Sequence, residues 1–133
     1  MIDFDLDDVP GPWLAPTRAV SGQGRYIKDG PGPTVCADIR LIVSEYRGAQ
    51  RYRFEWRVPD GTLPLAFMRQ AAFNGVKSAL REKLRDRVCL GCMCISVVDG
   101  SYTDSNSGET PLSIAASLAL KDALSRAELV STS

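Results

Sequence analysis

Residues 51–58 read RYRFEWRV, and their alternation constrains the fold more than any other feature of the chain. Tyr52, Phe54, Trp56 and Val58 fall on one side of an extended backbone, and Arg51, Arg53, Glu55 and Arg57 fall on the other. A period of two with large apolar residues on one face describes a strand in a sheet that has one face buried and one in solvent. Other elements of the chain must therefore cover the aromatic face.

The rest of the sequence supplies them. Residues 36–44 read as a strand with Ile39, Leu41 and Val43 on one face. The short EYRGAQ connection predicts an antiparallel hairpin between this strand and the one at 51–58. Pro64 suits a first helical position, where its missing N–H is not needed. The run LAFMRQAAFNGVKSALREKL then predicts a helix striped by Leu65, Met68, Ala72, Val76, Ala79 and Leu80. A third strand over 92–98 places Met93, Ile95 and Val97 on one face and Cys94 and Ser96 on the other. Thr110-Pro111 reads as a cap and first turn. The helix it opens, 111–127, has a small-residue face of Leu112, Ala115, Ala116, Ala119, Ala123 and Ala127. The closing ELVSTS reads as a short edge strand. The order β-β-α-β-α predicts an α+β fold: a two-layer sandwich with two helices on one face of a sheet of three or four strands. Residues 1–20 read as a flexible acidic, Pro/Gly-rich tail. Residues 21–133 read as one domain that opens on a mobile loop, because SGQGRY and DGPGP are turn-formers.

Charge narrows the class of function. The chain of 133 residues has 16 basic and 16 acidic residues, which argues against a strongly basic nucleic-acid binder. The charge is uneven, however. Residues 1–10 hold four acids, whereas residues 11–100 hold 14 basic groups against 8 acidic ones. The body is more basic than the sum, and the acidic start can screen it. No apolar run approaches the roughly 20 residues of a membrane span. The acidic start is unlike a secretory signal, so a cytoplasmic location is expected.

The cysteines are Cys36, Cys89, Cys92 and Cys94, and there is no histidine. A zinc site would need all four thiolates, and the usual pair of CxxC knuckles is missing. No metal and no cofactor are expected. A catalytic thiol would lack an imidazole base, and Asp38 and Asp99 do not form a recognisable pair. The chain is expected to be non-enzymatic.

From RFEWRVPDGTLPLAF through the second helix, about 80 residues, the chain resembles domain IV of elongation factor G, the family of the ribosomal translocase and the tetracycline ribosomal protection proteins. The matching residues are Gly61, Leu63, Pro64, Gly75 and Val76, then Asp99, Gly100, Ser101, Tyr102, Asp104, Ser107 and Glu109. Ile114, Ala115, Ala119, Lys121 and Ala123 continue the match. SGQGRY at 21–26 is similar to a glycine-rich loop of the family. Thr103 stands where the family has histidine, and Pro111-Leu112 where it has Ala-Phe. The resemblance implies a stand-alone copy of this domain, with a fold like domain 2 of ribosomal protein S5 and a left-handed β-α-β crossover. The chain holds no GxxxxGK[ST] loop, so GTP hydrolysis would belong to a separate, truncated translational GTPase.

The same resemblance implies contact with the ribosome or other structured RNA. The candidate tip loop is Tyr102, Thr103, Asp104, Ser105, Asn106, Ser107 and Glu109, whose alternative is a plain solvated reversal of the chain. A second candidate loop is Gly22, Gln23, Gly24, Arg25, Tyr26 and Lys28, whose alternative is a flexible linker. Arg51, Arg53 and Arg57 form a candidate basic face, or simply the solvated side of the sheet. The alternative class of function is a protein–protein module or homodimer that pairs through an exposed edge at the cysteine-bearing strand.

Overall fold

The computed structural model describes residues 2–6, 13–30, 32–48, 50–58, 65–86, 90–102 and 110–131. The elements in chain order are β1 (Ile2–Phe4), β2 (Leu14–Pro16), β3 (Val20–Gly30), β4 (Gly32–Glu45), β5 (Tyr52–Trp56), α1 (Leu65–Arg85), β6 (Met93–Tyr102), α2 (Thr110–Arg126) and β7 (Leu129–Ser131). A mixed five-stranded sheet runs β1-β5-β6-β4-β3, and β2 with β7 forms a separate two-stranded sheet. Both helices pack on one face of the large sheet, which gives the expected two-layer α+β arrangement, on five strands rather than the expected three or four because β1 and β3 join the sheet.

The core lies between these layers. Ile39, Leu41 and Val43 from β4, Tyr52 and Phe54 from β5, and Met93, Ile95 and Val97 from β6 point at the helices. Met68, Ala72, Val76, Ala79 and Leu80 answer from α1, and Leu112, Ala115, Ala119 and Ala123 from α2. The two helices approach closely because Gly75 faces the Ser113 carbonyl, and the Ser113 hydroxyl donates to the Ala71 carbonyl at 2.8 Å. Trp56 departs from the expectation that it sits inside: it is half-buried and packs on the rim of the core.

Four further expectations are corrected. Strands β4 and β5 do not form a hairpin. Strand β6 lies between them, antiparallel to β4 and parallel to β5. The apolar MCISVV segment thereby takes the centre of the sheet, where both its edges are paired. The cysteine-bearing strand is consequently no free edge, and Cys94 is buried. The loop expected over residues 21–35 is strand β3 together with the start of β4, paired from Val20↔Val43 to Lys28↔Val35, and the chain reverses between Gly30 and Gly32. Its glycines are there for packing: a Cβ on Gly22 or Gly24 would collide with the α2 backbone at Ala119, Ala123 and Ala115. Within the residues expected as a tail, Ile2–Phe4 pairs with β5, and Leu14–Pro16 pairs with β7. Phe4 explains the first of these, stacking on Tyr52 at 5.2 Å and meeting Phe73 edge-on at 5.0 Å.

One irregularity matters for the site. Leu41 pairs with Val97 but Arg40 pairs with Asp99, so β6 carries one extra residue, Val98. Such a bulge reverses which face the following residues take. It puts Gly100 against Ile39 in the core and leaves Asp99 and Ser101 on the open face of the sheet.

Candidate nucleic-acid interface

The open face of the sheet has two ends with different chemistry. At one end β3 turns into β4, with Gly30 paired to Gly32, and β6 runs out beside β4 with Tyr102 opposite Ala37. The β3–β4 turn and the exit of β6 therefore share one pole. Thr103, Asp104, Ser105, Asn106, Ser107 and Glu109 lie outside the described residues, but the strand that leads to them ends here.

Just inside this pole the open face has a depression of about 180 Å³ lined by Gln23, Asp38, Arg40, Asp99, Gly100 and Ser101. Gln23 Nε2 donates to the Asp38 carboxylate at 3.1 Å, and the Gly100 N–H donates to Asp99 Oδ1 at 2.9 Å. Arg40 is exposed and makes no ion pair among the described residues. Arg25 lies on the same face; the Cys36 sulfur beside it, with Asp38, holds its guanidinium above the usual value. Tyr26 packs half-buried against the core, and Lys28 occupies a β3 position opposite Val35. The Gln23 N–H, at the outer edge of β3, is capped by Asp122 of α2 at 3.0 Å. Of the second set of candidate residues, then, Gly22 and Gly24 pack against α2, while Gln23, Arg25 and Lys28 belong to the strand that leads to the pole.

The candidate basic face lies toward the other end. Met93, the first residue of β6, donates its N–H to the Arg51 carbonyl at 3.0 Å, so Arg51 sits level with the start of β6. At about 3.3 Å per residue this is roughly 30 Å from Tyr102. None of the three arginines is bare. Arg53 grips Asp3 with Nε at 2.6 Å and Nη2 at 3.1 Å. Arg51 Nη1 meets Asp5 Oδ1 at 3.2 Å, and Arg57 Nη2 meets Glu55 at 2.7 Å. The guanidinium of Arg51 lies 3.8 Å from the centre of the Trp13 ring, and that of Arg53 4.4 Å from Tyr46. The Arg53 hydrogen bond holds the Asp3 carboxyl below its usual range. The pairing of Asp3 and Asp5 with arginines was not read from the sequence. Its signal was the alternation of DFD, which complements that of RYR once the two strands are neighbours.

Between the arginines the open face carries a short polar row. The Ser96 hydroxyl donates to Glu55 at 3.2 Å, and the Cys94 sulfur lies 3.6 Å from that hydroxyl. Burial pushes the Cys94 thiol up, which keeps it protonated and a poor nucleophile. Among the described residues no three His, Cys, Asp or Glu side chains converge on a possible metal position; Cys89 lies outside them. Among the same residues no helix is long and apolar enough to cross a membrane.

No protein-family model matches the chain. Among solved structures it is similar to ttk003000868 from Thermus thermophilus, at 29% identity and a TM-score of 0.75. The match covers 92% of this chain and 18% of that one, so this chain spans about a fifth of the length of the protein it matches.

Proposed function

We propose that the chain is a non-catalytic RNA-binding module of the elongation factor G domain IV type, with the S5 domain 2 architecture, that contacts ribosomal or other structured RNA through the pole where β3 meets β4 and β6 ends. The observation that carries this reading is the bulge at Val98. It places Asp99 and Ser101 of the DGSY segment on the open face beside Arg40 and next to the β3–β4 turn. Polar side chains and backbone groups at such a pole bind phosphate and sugar without reading sequence. Similarity to a small part of a much longer chain also fits a module that works beside other domains. The module would act in the cytoplasm, with a separate truncated translational GTPase as a candidate partner.

Binding to ribosomes and to a structured RNA across a salt series tests this reading. Affinity should fall as salt rises, and Arg25→Ala with Lys28→Ala should weaken binding. The same pair should flatten the slope of log K against log salt by roughly 0.7–0.9 for each phosphate no longer neutralised. Absence of binding at low salt would reject the reading.

A second reading, self-association, is favoured by one observation. Strand β3 is an edge of 11 residues, and Ile27 on it is 51% exposed. A strand edge that leaves backbone groups unpaired is a template for strand pairing. A light-scattering mass of one chain at high concentration would remove this reading.

A further inference from the structure

The donors around β1 make an arrangement more specific than a strand needs in order to stay attached. Arg53 presents a two-nitrogen fork to Asp3, and the Tyr46 hydroxyl adds a third donor to the same carboxylate at 3.2 Å. Two residues along the same face, Arg51 holds Asp5. Forked guanidiniums with a hydroxyl beside them are the donors that hold phosphate. Each arginine also lies over an aromatic ring, Trp13 or Tyr46. A basic track interleaved with aromatic rings is the construction that holds single-stranded nucleic acid. We infer that Arg51, Tyr46 and Arg53 form a second RNA-binding strip, for a single strand, that Asp3 and Asp5 occupy as stand-ins for two phosphates and so hold closed. The inference rests on the RNA reading above and concerns a different end of the sheet.

Energetics permit the exchange. The Asp3 and Asp5 side chains keep 33% and 41% of their surface in solvent, and those of Arg53 and Arg51 keep 27% and 30%. Both pairs are reached by water and screened by salt, and a phosphate offers the same forked acceptors as the carboxylate it replaces, so a polyanion can exchange for the carboxylates without leaving the guanidiniums unpaired. Phe4, held by Tyr52 and Phe73, keeps β1 on the sheet while the neighbouring aspartates turn away.

The test uses a labelled oligouridylate and the full chain. Asp3→Asn with Asp5→Asn should tighten binding by roughly 5- to 10-fold at low salt and steepen the salt slope by about 1.4, the value for two phosphates of a single strand. Adding Arg51→Gln and Arg53→Gln to that variant should cancel the gain. Asp86→Asn with Glu128→Gln makes the same change in net charge at exposed positions and should not reproduce it. Equal tightening in this control, an unchanged double variant, or a gain that survives removal of both arginines would each overturn the inference. A thermal melt confirms that every variant is folded; if the asparagines were to loosen β1 itself, the strip would be freed all the same and the gain would still require both arginines. The Arg25→Ala, Lys28→Ala variant reports on the pole alone. Loss of binding there, with indifference to every strip variant, would leave the pole standing and remove the strip; the opposite pattern would do the reverse. Competition by an acidic peptide but not by unlabelled RNA would assign the strip to a protein partner and also overturn it.

Discussion

A methyl group at Gly24 would land on the Ala115 carbonyl and the Ala119 amide, and one at Gly22 on the same helix a turn further along. These contacts involve helix backbone, which cannot step aside as a side chain can. Gly24→Ala should therefore lower stability by about 2–3 kcal/mol, the upper range for overpacking, as read by urea denaturation; a loss under about 0.5 kcal/mol would contradict the packing of α2 on β3. The sequence shows the glycines but not their purpose, because Gly24 and Ala119 are far apart along the chain. Cys92 is a different case. It alone among the described non-glycine residues has a positive φ, 58°. An L side chain there costs about 1–2 kcal/mol and glycine's chain entropy about 0.5–1. Cys92→Gly should accordingly stabilise by about 0.5–1 kcal/mol, whereas β-branched Cys92→Val should destabilise. Equal melting temperatures for the two variants would contradict the backbone assignment. Cys94 has an ordinary backbone and a raised thiol, so below its elevated pKa it stays neutral and buried. A thiol reagent at neutral pH should label Cys94 more slowly than Cys36 or Cys92, and the gap should close on unfolding.

Both helices and the strands from β4 onward were legible because their periodicities are local, whereas β1, β2 and the glycine-bearing β3 were hidden by the Pro and Gly residues around them. The alternation at 52–56 and 93–97 and the stripe of α1 each need only a short window of sequence. Strand order is non-local: a short link between β4 and β5 predicts a hairpin, yet both strands pair with β6. The central position of β6 explains why Phe54, on its neighbour and fully buried, should matter more than the larger Trp56 at the rim. Phe54→Ala should cost about 3–5 kcal/mol and Trp56→Ala measurably less; the reverse order would contradict the register. Strand β1 offers a pH test. Asp3 has its folded pKa lowered by Arg53, so this contribution to stability is present above the unfolded carboxylate range and is lost as pH falls through the folded value. Arg53→Gln should raise the Asp3 midpoint seen by NMR titration, and an unmoved midpoint would remove the pair.

Taken whole, the molecule is a sheet with helices on one face and two chemically distinct ends on the other. The arginine row was legible as charge, but its acidic occupants were not, since the sequence alone does not place residues 2–4 beside β5. The DGSY segment was legible as a motif; its exposure depends on a single extra residue, Val98, that only the pairing register reveals. If the pole where β3 meets β4 and β6 ends contacts RNA, site-specific photocrosslinking to ribosomes will capture it. A photoreactive residue at position 105 should yield a ribosomal RNA adduct that high salt suppresses, whereas the same group in place of exposed Ser78 on α1 should yield none. No RNA adduct from position 105, or adducts of equal yield from both positions, would contradict the account.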